Sequence, residues 1–166
     1  LKVIEQVNGK NKMRKFLKRS LDTYLTQRTF ETKRENALMY NDGQGYIHYQ
    51  KGSLIFYALS DYIGEKVLNE TLSKYVDKVA FQSPPYTTSI ELVDDLREVI
   101  PDSLNYVIKD MFETITLYEN RILKAESKEL ENGKYQVDLE FRVSKYRNDE
   151  KGKMFYGDEE LSLIHI

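Results

Sequence analysis

A short run, Tyr46-Ile47-His48-Tyr49-Gln50-Lys51-Gly52, gathers two phenols, an imidazole and an ammonium within one stretch of chain. A tyrosine hydroxyl, with an ordinary pKa of about 10, remains a hydrogen-bond donor at neutral pH. Aimed at a substrate oxygen, such a donor stabilises the negative charge that develops there. By residue type alone, Tyr49 is one of 13 tyrosines and packing is the simpler reading. His48 is the tempting metal ligand, but a catalytic zinc site needs three protein ligands and an open position. The His-Glu-x-x-His pattern that supplies two of them from one helix face occurs nowhere in the sequence. His48 therefore reads as a helix-face residue. Asp94 and Asp95, and the acidic run Asp158-Glu159-Glu160, have no metal-binding arrangement and read as capping and solvation.

The rest of the chain must position these groups. Hydrophobic residues make up 40% of its 166 residues and charged residues 31%, enough apolar material for a core and too much for a disordered chain. With 25 basic and 27 acidic residues the net charge is -2, which argues against a nucleic-acid partner. Cysteine is absent, which excludes disulfides and thiolate metal sites. No apolar stretch reaches the length needed to cross a bilayer, so direct membrane insertion by this segment is not expected.

Apolar periodicity predicts a succession of helices. Residues 11 to 28 place Met13, Phe16, Leu17, Leu21, Tyr24 and Leu25 on one face and a basic cluster, read as a solvated face, largely on the other. After the loop Asn41 to Gly45, a helix from Tyr46 to Ile63 should bury Leu54, Ile55, Ala58, Leu59, Tyr62 and Ile63 and stop at Gly64. The next, Glu65 to Val79, should turn Val67, Leu68, Leu72, Tyr75 and Val76 inward. Ser83-Pro84-Pro85-Tyr86 breaks the chain. Thr88 and Glu91 then form a capping-box pattern ahead of Ile90, Leu92, Val93, Leu96 and Ile100. Pro101-Asp102 punctuates before a last helix, Ser103 to Ile115. Five helices in succession make a solenoid worth considering, but no repeat of constant length is present.

From about Thr116 the period changes to two. Tyr135, Val137, Leu139, Phe141 and Val143 alternate with polar residues, and Asn132-Gly133 supplies a turn to a preceding strand over Ile122 to Leu130. Lys153 to Tyr156 reads as the start of a third strand. The expected class is mainly α with a C-terminal β-hairpin or partial β-sandwich. The helical part covers residues 1–117 and the β part 118–160.

Tyr49-Gln50-Lys51-Gly52, at the head of an apolar helix ending Asp61-Tyr62-Ile63-Gly64, resembles the Tyr-x-Lys-Gly segment of the aminopeptidase N-like (gluzincin) zinc metallopeptidases. Many relatives carry Glu where this chain has Gln50. The likeness extends to Pro84-Pro85-Tyr86-Thr87 and to Pro101 through Asn120, with order and spacing kept. It points to the branch in which the peptidase is fused behind an ABC-type transporter permease. The resemblance implies the second half of a thermolysin-like helical catalytic subdomain and the start of the β-domain after it. It implies a zinc-dependent enzyme removing N-terminal residues from peptides, with Tyr49 stabilising the tetrahedral intermediate and Tyr46 a candidate for lining the substrate cleft. The zinc ligands, the general-base glutamate and the amine-recognising glutamates then lie upstream, outside this chain. The chain alone is expected to be inactive and to need the missing N-terminal part of its domain as partner. The parent would be anchored at a bacterial cell membrane. A non-enzymatic helical protein-binding module is the alternative.

The ends carry two further expectations. Leu1-Lys2-Val3-Ile4 has neither an initiator methionine nor a signal-peptide pattern and reads as the middle of a helix, so the chain is expected to be cut from something longer. Its apolar surfaces, uncovered by the missing part, should then favour self-association. Leu161-Ser-Leu-Ile-His-Ile166 looks like the translation of a widely used transposon-end sequencing adapter. Residues 161–166 are expected to be adapter-derived, an ordinary short apolar strand being the other reading. On the first reading His165 is not biological.

Overall fold

A computed structural model describes residues 1–148 together with two short strands, Met154–Tyr156 and Leu163–His165. Asp158 to Glu160, and residues 161, 162 and 166 of the adapter-like end, lie outside the described residues. The chain divides into two compact units after Thr114, a few residues before the period change at about 117. The class is mainly α with a C-terminal antiparallel hairpin.

In the first unit, α1 (Lys2–Asn8) and a 3-10 turn lead into α2 (Met13–Phe30). An extended segment with a 3-10 turn at Leu38–Tyr40 follows. The chain then enters a π turn, Tyr46–Lys51, which runs directly into α3 (Gly52–Ile63). Next come α4 (Glu65–Val79) and α5 (Ser89–Val99). The last helical stretch changes pitch twice: a 3-10 turn at Asp102–Leu104, α6 (Asn105–Ile108) and a second π turn, Lys109–Glu113. The hinge between α3 and α4 is Gly64 at φ +87°, a backbone angle that costs a residue with a Cβ but not glycine.

The main core is built where α3, α4, α5 and the last helical stretch converge. Ile55, Leu59, Leu68, Val93, Leu96, Ile108 and Phe112 form one buried cluster. Phe56 meets Phe112 edge to face, ring centres 5.6 Å apart, the favoured arrangement for two quadrupolar rings. A smaller cluster joins Tyr24 of α2 to Tyr46 and Ile47 of the π turn. Leu38 packs against both clusters and so ties them together.

The inward faces of the helices are narrower than the periodicity predicts. On α3, Tyr62 is exposed while Phe56 takes its place against the core. On α4, Val67 and Val76 are exposed, and the contact stripe centres on Leu68 and Thr71. Ile90 of α5, and Leu21 and Leu25 of α2, also face outward. An apolar side chain on the shoulder of a stripe satisfies the period without being covered. The capping box is altered too. Thr88 is the N-cap residue of α5 by backbone, at φ -120° and ψ 165°, but its hydroxyl makes no cap bond. Instead the Thr87 hydroxyl donates to Glu91 at 2.5 Å, and Ser89 Oγ donates to the carbonyl of Met39 at 2.6 Å. The second bond holds the start of α5 to the turn at Leu38–Tyr40. No helix among the described residues is long and apolar enough to cross a membrane.

The second unit is a long hairpin. Strand β1 (Ile115–Glu129) pairs antiparallel with β2 (Tyr135–Asn148). β1 therefore takes up Ile115, the residue expected to end the last helix, and it starts seven residues before Ile122. The register shifts between Ile122 and Lys124, a bulge. The turn is a three-residue loop, Glu131-Asn132-Gly133, closed by Leu130 N–H to the Lys134 carbonyl at 2.7 Å. Gly133 sits at φ +74°, the left-handed position this loop requires. Strands β3 (Met154–Tyr156) and β4 (Leu163–His165) both pair with β2. The alternating apolar face is open toward the turn, where Tyr135 and Val137 are exposed.

The burial pattern separates residues that the sequence places on one face. Leu59 is fully buried, so Leu59→Ala is expected to destabilise the helical unit by about 2–5 kcal/mol. Val67, 37% exposed, should change stability by no more than about 0.5 kcal/mol on the same truncation. Thermal melts followed by circular dichroism compare the two directly, and equal losses would contradict this core.

Candidate active site

The π turn ahead of α3 sends its side chains to two different places. Ile47 and Lys51 point inward, with Tyr46; His48 and Tyr49 point out. Its defining bond runs from the Gly52 N–H to the Ile47 carbonyl, five residues back. A π turn takes more residues per revolution than the 3.6 of an α-helix, so residues three apart diverge further around the axis. For that reason Tyr46 and Tyr49, neighbours on one face of an ideal α-helix, part company here.

Tyr49 is 70% exposed, and its ring lies 4.3 Å from that of His48, tilted by 54°. Asn41 Nδ2 donates to His48 Nδ1 at 2.9 Å, which occupies one imidazole nitrogen and fixes the ring. Both side chains border a cavity of about 430 Å³ lined largely by Leu38, Met39, Phe56, Val93 and Phe112. Pockets of this size and apolar character hold small organic groups, with a few polar groups setting orientation. A larger hollow, about 570 Å³, lies between α2 and α3, but its charged groups belong to exposed helix faces.

Tyr46 is not part of that cavity. It is 6% exposed and packs against Tyr24, ring centres 5.9 Å apart, with Gln44 Nε2 within 3.5 Å of its hydroxyl. Burial, aided by the negative charge of Glu35, pushes its hydroxyl up to about 12. Tyr46 and Tyr49 thus do not share a cavity in this structure. The cause is the π geometry.

Behind the turn lies a polar network that the sequence reading misses. Glu35, from the extended segment after α2, is almost fully buried. Its carboxylate accepts from the Tyr24 hydroxyl at 2.5 Å and from Arg28 Nε at 2.5 Å. It also accepts from Lys51 Nζ at 3.4 Å. The Lys51 ammonium lies 5.5 Å from the centre of the Tyr24 ring, within reach of a cation–π attraction. Burial pushes the Lys51 ammonium down from its ordinary value, and Glu35 opposes that shift. Burial first, and then the bond to Glu35, push the Tyr24 hydroxyl well up. Gln44 ties the same segment together. Its Nε2 donates to Glu31 and to the Arg34 carbonyl, each at 3.0 Å, and its Oε1 accepts from Asn36 N–H at 3.0 Å. The one available signal was Lys51 itself, a lysine among residues that a helical period turns inward.

Among the described residues no three His, Cys, Asp or Glu side chains converge where they could hold a metal ion. The donor set around Tyr49 does not fit a zinc site: His48 stands without a second ligand, and Glu35 is committed to three donors. Asp94 and Asp95 form ion pairs instead, with Arg97 at 2.9 Å and Lys78 at 3.0 Å. What the site offers chemically is a hydrogen-bond donor at the edge of an apolar hollow. Comparison with protein-family models, with curated proteins and with solved structures gave no match.

Two consequences follow for stability. Replacing Glu35 by Gln leaves the buried Lys51 without its countercharge, a loss of about 3–5 kcal/mol. Urea unfolding of the Glu35→Gln chain checks it, and a change under about 1 kcal/mol would refute the network's role. The second concerns alkaline pH. Tyr24 and Tyr46 both titrate above the ordinary value of 10.0 when folded. Their contribution is full below about pH 10 and is lost as pH rises through the folded values. Lys51 has the opposite sign, since its depressed value makes stability grow as pH climbs to 10.5 and adds nothing beyond. Helical ellipticity should therefore hold to about pH 10 and fall above it, as the tyrosinate absorbance rises. Loss of helix well below pH 10 would contradict the assignment.

Proposed function

We propose that this chain contributes Tyr49, as hydrogen-bond donor, to a zinc-dependent aminopeptidase of the aminopeptidase N-like (gluzincin) family. On this reading the helical unit is the second half of a thermolysin-like catalytic subdomain, and the hairpin opens the β-domain behind it. The observation that carries the proposal is the placement of Tyr49: exposed, at the head of α3, beside an apolar hollow, while the turn that holds it is anchored from behind. The resemblance of Tyr49-Gln50-Lys51-Gly52 to the family's Tyr-x-Lys-Gly segment supports reading it as that donor.

During peptide hydrolysis the scissile carbonyl becomes tetrahedral and its oxygen gathers negative charge. A neutral phenol already pointing at that oxygen stabilises the charge without having to reorganise, and an apolar surrounding strengthens the interaction. The residues described here do not fit a zinc site, so zinc and the groups that bind it, the general base and the recognition of the peptide's N-terminus are assigned to another part of the same protein. The 166 residues are then inactive alone. Anchoring of that protein at a membrane through a fused permease segment belongs to the same proposal.

The test uses the full-length product of the gene that encodes these residues. It should carry a His-Glu-x-x-His segment in frame before Leu1 and hydrolyse leucine p-nitroanilide. Tyr49→Phe should lower kcat by about 10²–10³-fold with KM little changed. Unaltered turnover in that variant would sink the catalytic assignment and favour a helical protein-binding module instead.

A further inference from the structure

Lys51 lies two positions beyond Tyr49 in the same π turn and is 8% exposed, against 70% for Tyr49. A lysine so placed is unusual, because an apolar side chain of similar length would fill the space without burying a charge. The partner Glu35 has two other donors. Tyr24 and Arg28, both on α2, donate to its two oxygens. Lys51 therefore closes a link from the turn, through Glu35, to a long helix. At the other end of the turn Ile47 is fully buried beside Tyr24 and Tyr46. Two inward anchors four residues apart thus bracket His48 and Tyr49.

Resting on the reading of Tyr49 as the donor, we infer that the Lys51–Glu35 pair is a positioning device that holds the π turn in the rotation that aims Tyr49. The π turn is one residue away from an α turn in its bonding. Were it to re-form as α, the direction of Tyr49 relative to α3 would change by about one residue's phase, roughly 100°. A donor displaced by even about 1 Å loses on the order of 10²-fold in rate. An ion pair suits this task because its geometry specifies one arrangement, whereas apolar packing would accept both. Its net effect on stability is small by comparison, since desolvating two charges offsets most of their attraction.

Lys51→Met keeps the length of the side chain and removes the charge, and Glu35 retains Tyr24 and Arg28. In the full-length product this variant is expected to lower kcat about 10–100-fold with KM within about threefold, and Lys51→Arg to restore most of the loss. Tyr24→Phe, which removes one donor from Glu35 while leaving the ring beneath Lys51, should give a smaller drop of the same kind. In the 166-residue chain with ¹³C-labelled tyrosine, Lys51→Met should shift the Tyr49 ring resonances while those of Tyr62 and Tyr135 stay. An unmoved Tyr49 signal, or a kcat unchanged in Lys51→Met when Tyr49→Phe is impaired, overturns the inference and leaves the proposed function standing. Moved resonances with full activity in Tyr49→Phe keep the positioning device and overturn the function.

Discussion

One buried carboxylate governs the arrangement of the helical unit. Glu35 arrives on a segment without regular structure, and a charge taken out of water must be met by donors or not be buried at all. Three donors meet it: Tyr24 and Arg28 from α2, and Lys51 from the turn before α3. None of the three elements satisfies it singly. Lys51 is buried against Glu35, and without that carboxylate its ammonium would be left uncompensated. Gln44 adds three hydrogen bonds to the same segment, with Glu31, the Arg34 carbonyl and the Asn36 N–H.

The π turn is the other half of this arrangement. Its wider winding gives poorer packing along the axis than an α-helix and persists only where the surroundings demand it. Here the demand comes from two clusters that face different directions. Ile55 and Leu59 of α3 belong to the main core, while Tyr46 and Ile47 belong to the small cluster with Tyr24. A straight α-helix would carry one face through both. The extra residue lets the chain change face between them, and Leu38, touching both clusters, fills the step. His48 and Tyr49 occupy the outer side of that step and are thereby turned outward.

How much of this could be read from sequence follows from the range of each interaction. The ends of α3 and α4 were legible because apolar spacing and Gly64 act within a few residues. So was the Asn132-Gly133 turn with its alternating strand, although the strand before it reaches back to Ile115, where no alternation announces it. Which shoulder residues stay exposed, such as Val67 and Tyr62, depends on neighbours far along the chain. The π turn is invisible to a search for helical period, since one inserted residue in six blurs a period of 3.6 without erasing it. Glu35 and Lys51 are 16 residues apart, one in an aperiodic segment and one in a helix. Charged residues are ordinarily on the surface, so type alone assigns both to solvent. The inward turn of Tyr46 is invisible for the same reason as the π turn.

On the proposed reading, the two faces of the turn would divide the chemical work between them. A phenol that is to stabilise a developing charge must remain neutral, accessible and fixed in direction. Accessibility and fixed direction conflict, because an exposed side chain on a helix end has freedom that a buried one lacks. On that reading the requirements are separated by residue: Tyr49 is exposed beside the apolar hollow, while Ile47 and Lys51 are buried. The contact with the His48 ring, itself held by Asn41, narrows what freedom remains.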